Sequence, residues 1–412
     1  MLRSHLLLAW RVLLRRKAFT AVSLFTIAAT LLVVTTASAL LQEMFGNRPP
    51  ESRLERAVGV LVLGMYGEHR GISSGAGYGF LDGHLRDLPG VEETTFFSFP
   101  SKVASYSGDR KQRLTVRRTD GAFWRVFDFR FLEGGPIRAE HDRDHEPVVV
   151  INAATRDRLL GTGEAVGRTI ELDGRKFRVV GVVANVPSAR LLVSADVWMP
   201  ISATRGEAFR DEYVGDFHAV FLAASADDLP AIQAEVDRRI RLAKPPERGY
   251  DELHGGADTK FEAFSRLMFS PQYERAEPGL LRAILMTLGV GFMLLPAVNL
   301  TNLNLSRIAE RASEIGVRRA FGARRRSLVG QFLLESVMVS LAGGAIGFLL
   351  AALALGAINR AGLVPYADFR LDLAVGGWTL AAATLFGLLS GVWPAWRMSR
   401  LAPATALAGG SR

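Results

Sequence analysis

Three short stretches hold residue types that could do chemistry. The first, "GTGEAVGRT" at 161–169, has the glycines and terminal threonine of a phosphate-binding loop. Such a loop cradles phosphate with backbone N–H groups and needs a lysine before its hydroxyl residue. Arg168 stands in that place and the glycine spacing is wrong, so a turn is expected. The second, "HDRDH" at 141–145, sets two histidines four apart with carboxylates between them. On a helix that spacing could ligate a metal. The surrounding "RAEHDRDHEP" reads instead as a solvated loop before a strand at 148. The third, "ERASEIGVRRAFGARRRS" at 310–327, holds six arginines, two glutamates and two glycines between two apolar runs. Seven histidines and no cysteine exclude disulfides and thiolate metal sites. No Ser-His-Asp or Cys-His arrangement has supporting context. No catalytic, cofactor-binding or metal-binding residue is expected, and the chain does not read as an enzyme.

The elements around these stretches are set by four blocks free of Asp, Glu, Lys and Arg: Ala18–Leu41, Ala283–Leu305, Ser336–Ile358 and Leu373–Trp396. A helix of that length rises roughly 35 Å, enough to cross a ~30 Å hydrocarbon core. The first block is too long for a signal h-region and lacks a prompt cleavage site, so it reads as a retained helix. Lys and Arg are retained on the cytoplasmic side of a membrane. Residues 1–17 carry five basic residues and no acid, and 306–335 carry seven arginines against three glutamates. Both termini and the 306–335 connection are therefore expected inside, with 42–279 and 359–372 outside.

The same division explains the charge. Residues 1–41 and 280–412 together carry +13 of a whole-chain +9, which leaves about −4 on the outer segment. The basic balance is a topology signal, and no nucleic-acid partner is expected. Residues 1–17 read as an amphipathic helix on the inner surface, with Leu6, Trp10 and Leu13 or Leu14 at helical spacing, or equally as a plain positive-inside anchor. The outer segment reads as a folded α+β domain. Strand runs fall at 58–64, 94–99, 148–152, 168–172 and 176–183, with a hairpin turn at Asp173-Gly174 and helices near 77–88 and 227–242. Pro296 is expected to kink the second membrane helix. Asn299, Thr301, Asn302 and Asn304 read as polar glue, and Gly343-xxx-Gly347 and Gly387-xxx-Gly391 as close-packing sites.

Glu314 and Arg318 are spaced as a helical ion pair, and Gly316 and Gly322 allow bends or close approach. Charge alone leaves this segment open between a docking helix and a solvated positive-inside loop. The residue order goes further. "NLSRIAERASEIGVRRAFGARRRSLVGQFLLESVMVSLAGGAIG" at 304–347 and "SGVWPAWRMSRLAPATAL" at 390–407 closely resemble the MacB/FtsX-type ABC transporter permeases. In the outer segment "VFDFRFLEGGPI", "VVVIN" and "AVGRTIELDGRKFRVVGVVANVP" resemble the periplasmic domain of that family.

The resemblance implies a membrane α-helical fold of four transmembrane helices with an extracytoplasmic α+β domain inserted between helices 1 and 2. The segments are 1–17, an amphipathic helix; 18–41, the first span; 42–279, the periplasmic domain with stalk ends; 280–305, the second span; 306–335, the coupling segment; 336–358 and 373–396, the last spans around the loop 359–372; and 397–412, the tail. Glu310, Glu314, Gly316, Arg318, Arg319, Gly322 and Ala323 are the implied contacts to an ATPase. The resemblance also implies that ATP is bound by a separate MacB-type ATPase subunit, that the permease pairs with itself or with a second permease, and that the complex sits in the cell inner membrane. It admits a periplasmic adaptor and an outer-membrane channel. The implied mechanism is mechanotransmission driving export or extraction. An FtsX-like complex that controls a cell-envelope enzyme without transport is the alternative, and a membrane tether without any ATPase is a third.

Overall fold

The structure is a computed structural model that describes residues 17–107, 110–204, 206, 208–310, 317, 321 and 325–399. The chain forms two compact units, one comprising Met44–Arg282 with Val364–Ala367 and the other the helical remainder.

The helical unit is built on four long helices: α1 (Lys17–Phe45), α8 (Pro278–Glu310), α9 (Arg325–Ala361) and α10 (Leu373–Ser399). The first three are long and apolar enough to cross a membrane, and the apolar stretch of the fourth covers Leu373–Leu389. Helix α8 runs through Pro296 without a break. Ile27 and Leu31 of α1 are buried with Met293 and Leu300 of α8, Val339 of α9 and Ala383 of α10. Asn299 Nδ2 donates to Thr26 Oγ1 at 2.9 Å, a polar tie between α8 and α1. Gly347 lies against α1, where a Cβ would fall 2.8 Å from the Ala28 carbonyl oxygen. Only a residue without a side chain allows that approach. The predicted amphipathic helix over 1–16 and the tail beyond Ser399 fall outside the described residues.

The other unit is an α+β domain on one 14-stranded sheet. Its central path runs β14 (Glu252–Gly255), β2 (Leu63–Tyr66), β3 (Gly71–Ala76), β13 (Phe217–Ala223), β4 (Val91–Ser98), β6 (Arg110–Thr119), β11 (Val197–Pro200), β8 (Val148–Asn152), β10 (Arg175–Val183) and β7 (Phe131–Gly134). Strands β1 (Ala57–Val60), β5 (Ser101–Ser107), β9 (Thr169–Leu172) and β12 (Val214–Gly215) join β13, β6, β10 and β3 respectively. Strand β8 is buried at every position because it lies between β10, which it pairs in parallel, and β11. The β9–β10 hairpin turns at Asp173 and Gly174, both in the left-handed region at φ 46° and 77°, as a type I′ turn requires.

Helices α2 (Tyr78–Leu85), α3 (Phe123–Val126), α4 (Ala139–Arg143), α5 (Ala153–Leu160), α6 (Leu229–Leu242) and α7 (Lys260–Phe269) complete the domain. Helix α6 buries Ile232, Val236 and Ile240, one stripe at four-residue spacing. Helix α5 starts where the Asn152 side chain accepts the Thr155 N–H at 2.7 Å.

The structure corrects two local expectations. The run 58–64 is not one strand: β1 pairs β13, whereas β2 pairs β3 and β14. Between them the Leu61 carbonyl lies 3.1 Å from His218 Nδ1. The stretch 138–147 is not a plain loop, because 139–143 form α4, capped by His141 Nδ1 accepting the Arg138 N–H. His145 lies past that helix at φ 55°, so the two histidines do not share a helical face.

Candidate functional site

Where the chain enters and leaves the domain, sequence-distant segments are held together. The end of α1 and the start of α7 meet first through rings. Phe45 packs edge-to-face on Phe261 and Phe264, with centroids 5.7 and 5.6 Å away. Helix α7 begins at a capping box, with Thr259 and Glu262 bonding each other's backbone N–H groups. Lys260, its first residue, donates to the Met44 carbonyl at 2.5 Å and to Glu51 Oε2 at 2.6 Å.

Glu51 is fully buried, and the same Oε2 accepts from Arg190 Nη1 at 3.0 Å. Arg190 also donates to the Gly46 carbonyl at 3.3 Å. One buried carboxylate thus ties the segment after α1, the loop between β10 and β11, and the start of α7.

The outgoing strand of chain is pinned too. Arg266 of α7 holds Asp258 with two bonds, 2.6 and 2.9 Å, and donates to the Tyr273 carbonyl at 2.8 Å. Burial pushes the Asp258 carboxyl up, with Arg266 pulling the other way. Asp258 and Gly59 of β1 exchange backbone bonds of 2.8 and 2.9 Å. The Glu277 N–H donates to Ser265 Oγ at 3.0 Å, one residue before α8 begins. The neck is therefore a joint of paired charges and edge-to-face rings between the incoming and outgoing chain.

A second buried layer lies beside it. Arg117 donates to the Ser98 and Leu191 carbonyls at 2.6 and 2.7 Å. Burial pushes Arg117 down to about 9, with the Glu51 charge acting against it. Burial first and the Arg117 charge second hold His218 down at about 3, so it is neutral at pH 7. The unfolded chain protonates this histidine below its ordinary 6.5 and the folded chain does not. Stability from this residue is therefore complete above about 6.5 and is lost as pH falls toward 3, at up to ~1.4 kcal/mol per pH unit. Asp120, pushed up to about 6 by burial, has the opposite sign and gains stability as pH falls. Replacing His218→Asn removes one of the two opposed slopes. Pulse proteolysis of the reconstituted chain at pH 6.5 and 5 is expected to show the variant losing ~2 kcal/mol less than wild type across that interval. An unchanged difference would mean that His218 titrates normally.

Of the predicted ATPase contacts, Glu310 is the last residue of α8, and Glu314, Gly316, Arg318, Arg319, Gly322 and Ala323 lie outside the described residues. Val317 and Phe321, which fall among them, are described. The Phe321 N–H donates to the Val317 carbonyl at 3.0 Å, a helical i to i−4 bond. Both side chains are exposed, Phe321 at 89%. The sequence reading named the charged and glycine positions and passed over this apolar pair, although its four-residue spacing was a visible signal. It also missed the neck, where Glu51 stands 139 residues from Arg190 and 209 from Lys260 and no local pattern marks their pairing.

Apolar helices long enough to cross a membrane, joined to a large folded α+β domain, define a membrane protein with one large folded domain. A MacB-like periplasmic core domain is matched by residues 20–239, and an FtsX-like permease C-terminal region by residues 286–403. The macrolide export ATP-binding/permease protein MacB of Burkholderia cenocepacia is 31% identical over 70% of this chain and 40% of its own length. The pyoverdine export ATP-binding/permease protein PvdT of Pseudomonas aeruginosa is 29% identical over 79% of this chain and 46% of its own. The periplasmic region of MacB from Actinobacillus actinomycetemcomitans aligns at a TM-score of 0.34 with 13% identity, over 52% of this chain and 95% of that one. The chain belongs to the MacB/FtsX-type ABC transporter permease family. It spans less than half the length of either relative named from Burkholderia or Pseudomonas.

Proposed function

We propose that this chain is the permease part of an ABC exporter that turns ATP hydrolysis by a partner ATPase into motion of its extracytoplasmic domain. Four helices cross the cell inner membrane, both termini face the cytoplasm, and the domain is inserted between the first and second spans. The chain hydrolyses no ATP itself. Two copies, or this chain and a second permease, frame the pathway. The relatives named as exporters of macrolide and pyoverdine support export as the direction of work. The observation that carries the mechanism is the neck: the buried carboxylate of Glu51 joins the incoming chain to the domain through buried Arg190 and to α7 through partly buried Lys260. A displacement of either helix end then moves the domain as a body, because breaking a buried pair costs about 3–5 kcal/mol.

A single cysteine at Ala226 tests both parts of this reading, since the chain has no native cysteine and Ala226 is exposed on the domain. In intact cells it is expected to react with a membrane-impermeant maleimide. Spin-labelled and reconstituted with the partner ATPase, it is expected to show a copy-to-copy distance that shifts when ATP is trapped. A distance that stays fixed through ATP turnover would rule out mechanotransmission. Failure to label from outside would rule out the topology.

A further inference from the structure

Part of the loop between α9 and α10 belongs to the α+β domain: Val364–Ala367 form one compact unit with Met44–Arg282. The Ala367 N–H donates to the Val364 carbonyl at 3.1 Å, which closes a four-residue turn. Pro365 is its second residue, and Tyr366, its third, has φ 62°. Proline second and a left-handed third residue are the signature of a type II turn, where glycine or asparagine usually stands third. A bulky ring there is strained and persists only when its surroundings hold it.

The surroundings do hold it. Tyr366 Oη donates to Asp196 Oδ1 at 3.2 Å and accepts from Arg158 Nη2 at 3.3 Å. The Ser188 N–H donates to the Pro365 carbonyl at 3.0 Å. Burial first and the Asp196 charge second push the Tyr366 phenol up, so it keeps its proton and can donate. The chain on either side of the turn has little slack. Asn359 of α9 exchanges two 3.0 Å bonds with the Phe369 backbone, and Asp368 alone separates Phe369 from Ala367.

This grip is breakable where the neck is not. Glu51 is fully buried, whereas the Arg158 and Asp196 side chains are 42% and 14% exposed. A cleft of about 260 Å³ lies alongside, lined by Thr115, Arg158, Ser194, Asp196 and Tyr366, so water reaches the contact. Asp196 also accepts from the Thr115 N–H at 2.9 Å, the Asn152 side-chain amide at 3.4 Å and Arg158 at 3.1 Å. Losing Tyr366 therefore strands no charge.

We propose that this turn is a releasable strap, with the Tyr366 hydroxyl on Asp196 as its catch, through which α9 and α10 restrain the domain until the catch opens. The docking stands on these contacts alone, whereas its release during ATP turnover rests on the proposed function.

The test uses the full chain in lipid nanodiscs, carrying Ser188→Cys with Pro365→Cys. The chain has no native cysteine, and backbones joined by a hydrogen bond lie within reach of a disulfide. Mild oxidation is expected to form an internal disulfide rapidly. Adding Tyr366→Phe is expected to slow it about fivefold, the ratio one neutral hydrogen bond supports. Tyr366→Gly, which suits the turn but has no ring, is expected to slow it further. With the partner ATPase bound, trapping ATP is expected to slow the link as well. Closing the link is expected to abolish the ATP-dependent shift of a bioorthogonal spin label at Ala226, and reduction to restore it. Three results overturn the proposal: linking rates indifferent to Tyr366, a disulfide-linked dimer in place of the internal link, or a label that moves as before with the link closed. A label that stays still in the reduced chain counts against the proposed function alone, and the Tyr366 rates then decide the strap.

Discussion

Replacing Glu51 by alanine is expected to lower the stability of the α+β domain by about 3–5 kcal/mol, the cost of leaving buried charge without its partner. The magnitude follows from what remains. Arg190 and Lys260 lose the one carboxylate between them, and Arg117 loses the charge that offsets its burial. Glu51→Gln keeps the volume and one acceptor, so it is expected to cost less. Lys260→Met leaves Glu51 paired with Arg190, so it too is expected to cost less while loosening the grip of α7 on Met44. Chemical denaturation of the reconstituted chain, read by pulse proteolysis, gives the ranking. A Glu51→Ala variant within ~0.5 kcal/mol of wild type would place it among ordinary surface substitutions and remove the neck as a joint. At a milder level, Lys260→Met is expected to keep the fold and weaken the ATP-linked movement of a label at Ala226.

Reversing two charges, Arg318→Glu with Arg319→Glu, is expected to reduce affinity for the partner ATPase at least about 30-fold, the equivalent of losing ~2 kcal/mol of desolvated charge contact. Insertion is expected to be normal, because five basic residues in 1–17 and others in the tail still hold the termini inside. The exposed apolar pair Val317 and Phe321 adds a second handle. Phe321→Asp is expected to weaken docking with no change in net positive charge beyond one unit, which separates recognition from retention. Neutralising Arg324 and Arg326, nearer the next apolar block, is the control and is expected to do less. Copurification of the ATPase with the full chain is the readout. Wild-type association by the doubly reversed variant would reduce the stretch to a positive-inside loop.

Much of this protein was legible in its sequence because the relevant physics is local. A helix needs partners only three or four residues away, and an apolar block of 23 or 24 residues declares itself without reference to any other segment. The long helices accordingly contain all four blocks, and each extends beyond its block at one or both ends. The Asp173-Gly174 turn and the start of α6 were equally readable, since turn chemistry and a four-residue apolar stripe depend on neighbours alone. The family could be read from the ordered residues of 304–347. What only the tertiary structure decided is where distant residues meet. The splitting of 58–64 into β1 and β2 depends on which strands lie alongside, and those come from positions as far away as 223 and 255. Glu51 looks like any surface glutamate until Arg190 and Lys260 arrive from 139 and 209 residues downstream and bury it. Local propensity is written residue by residue; burial of a charge or a hydroxyl is a property of the assembled neighbours and has no pattern along the chain.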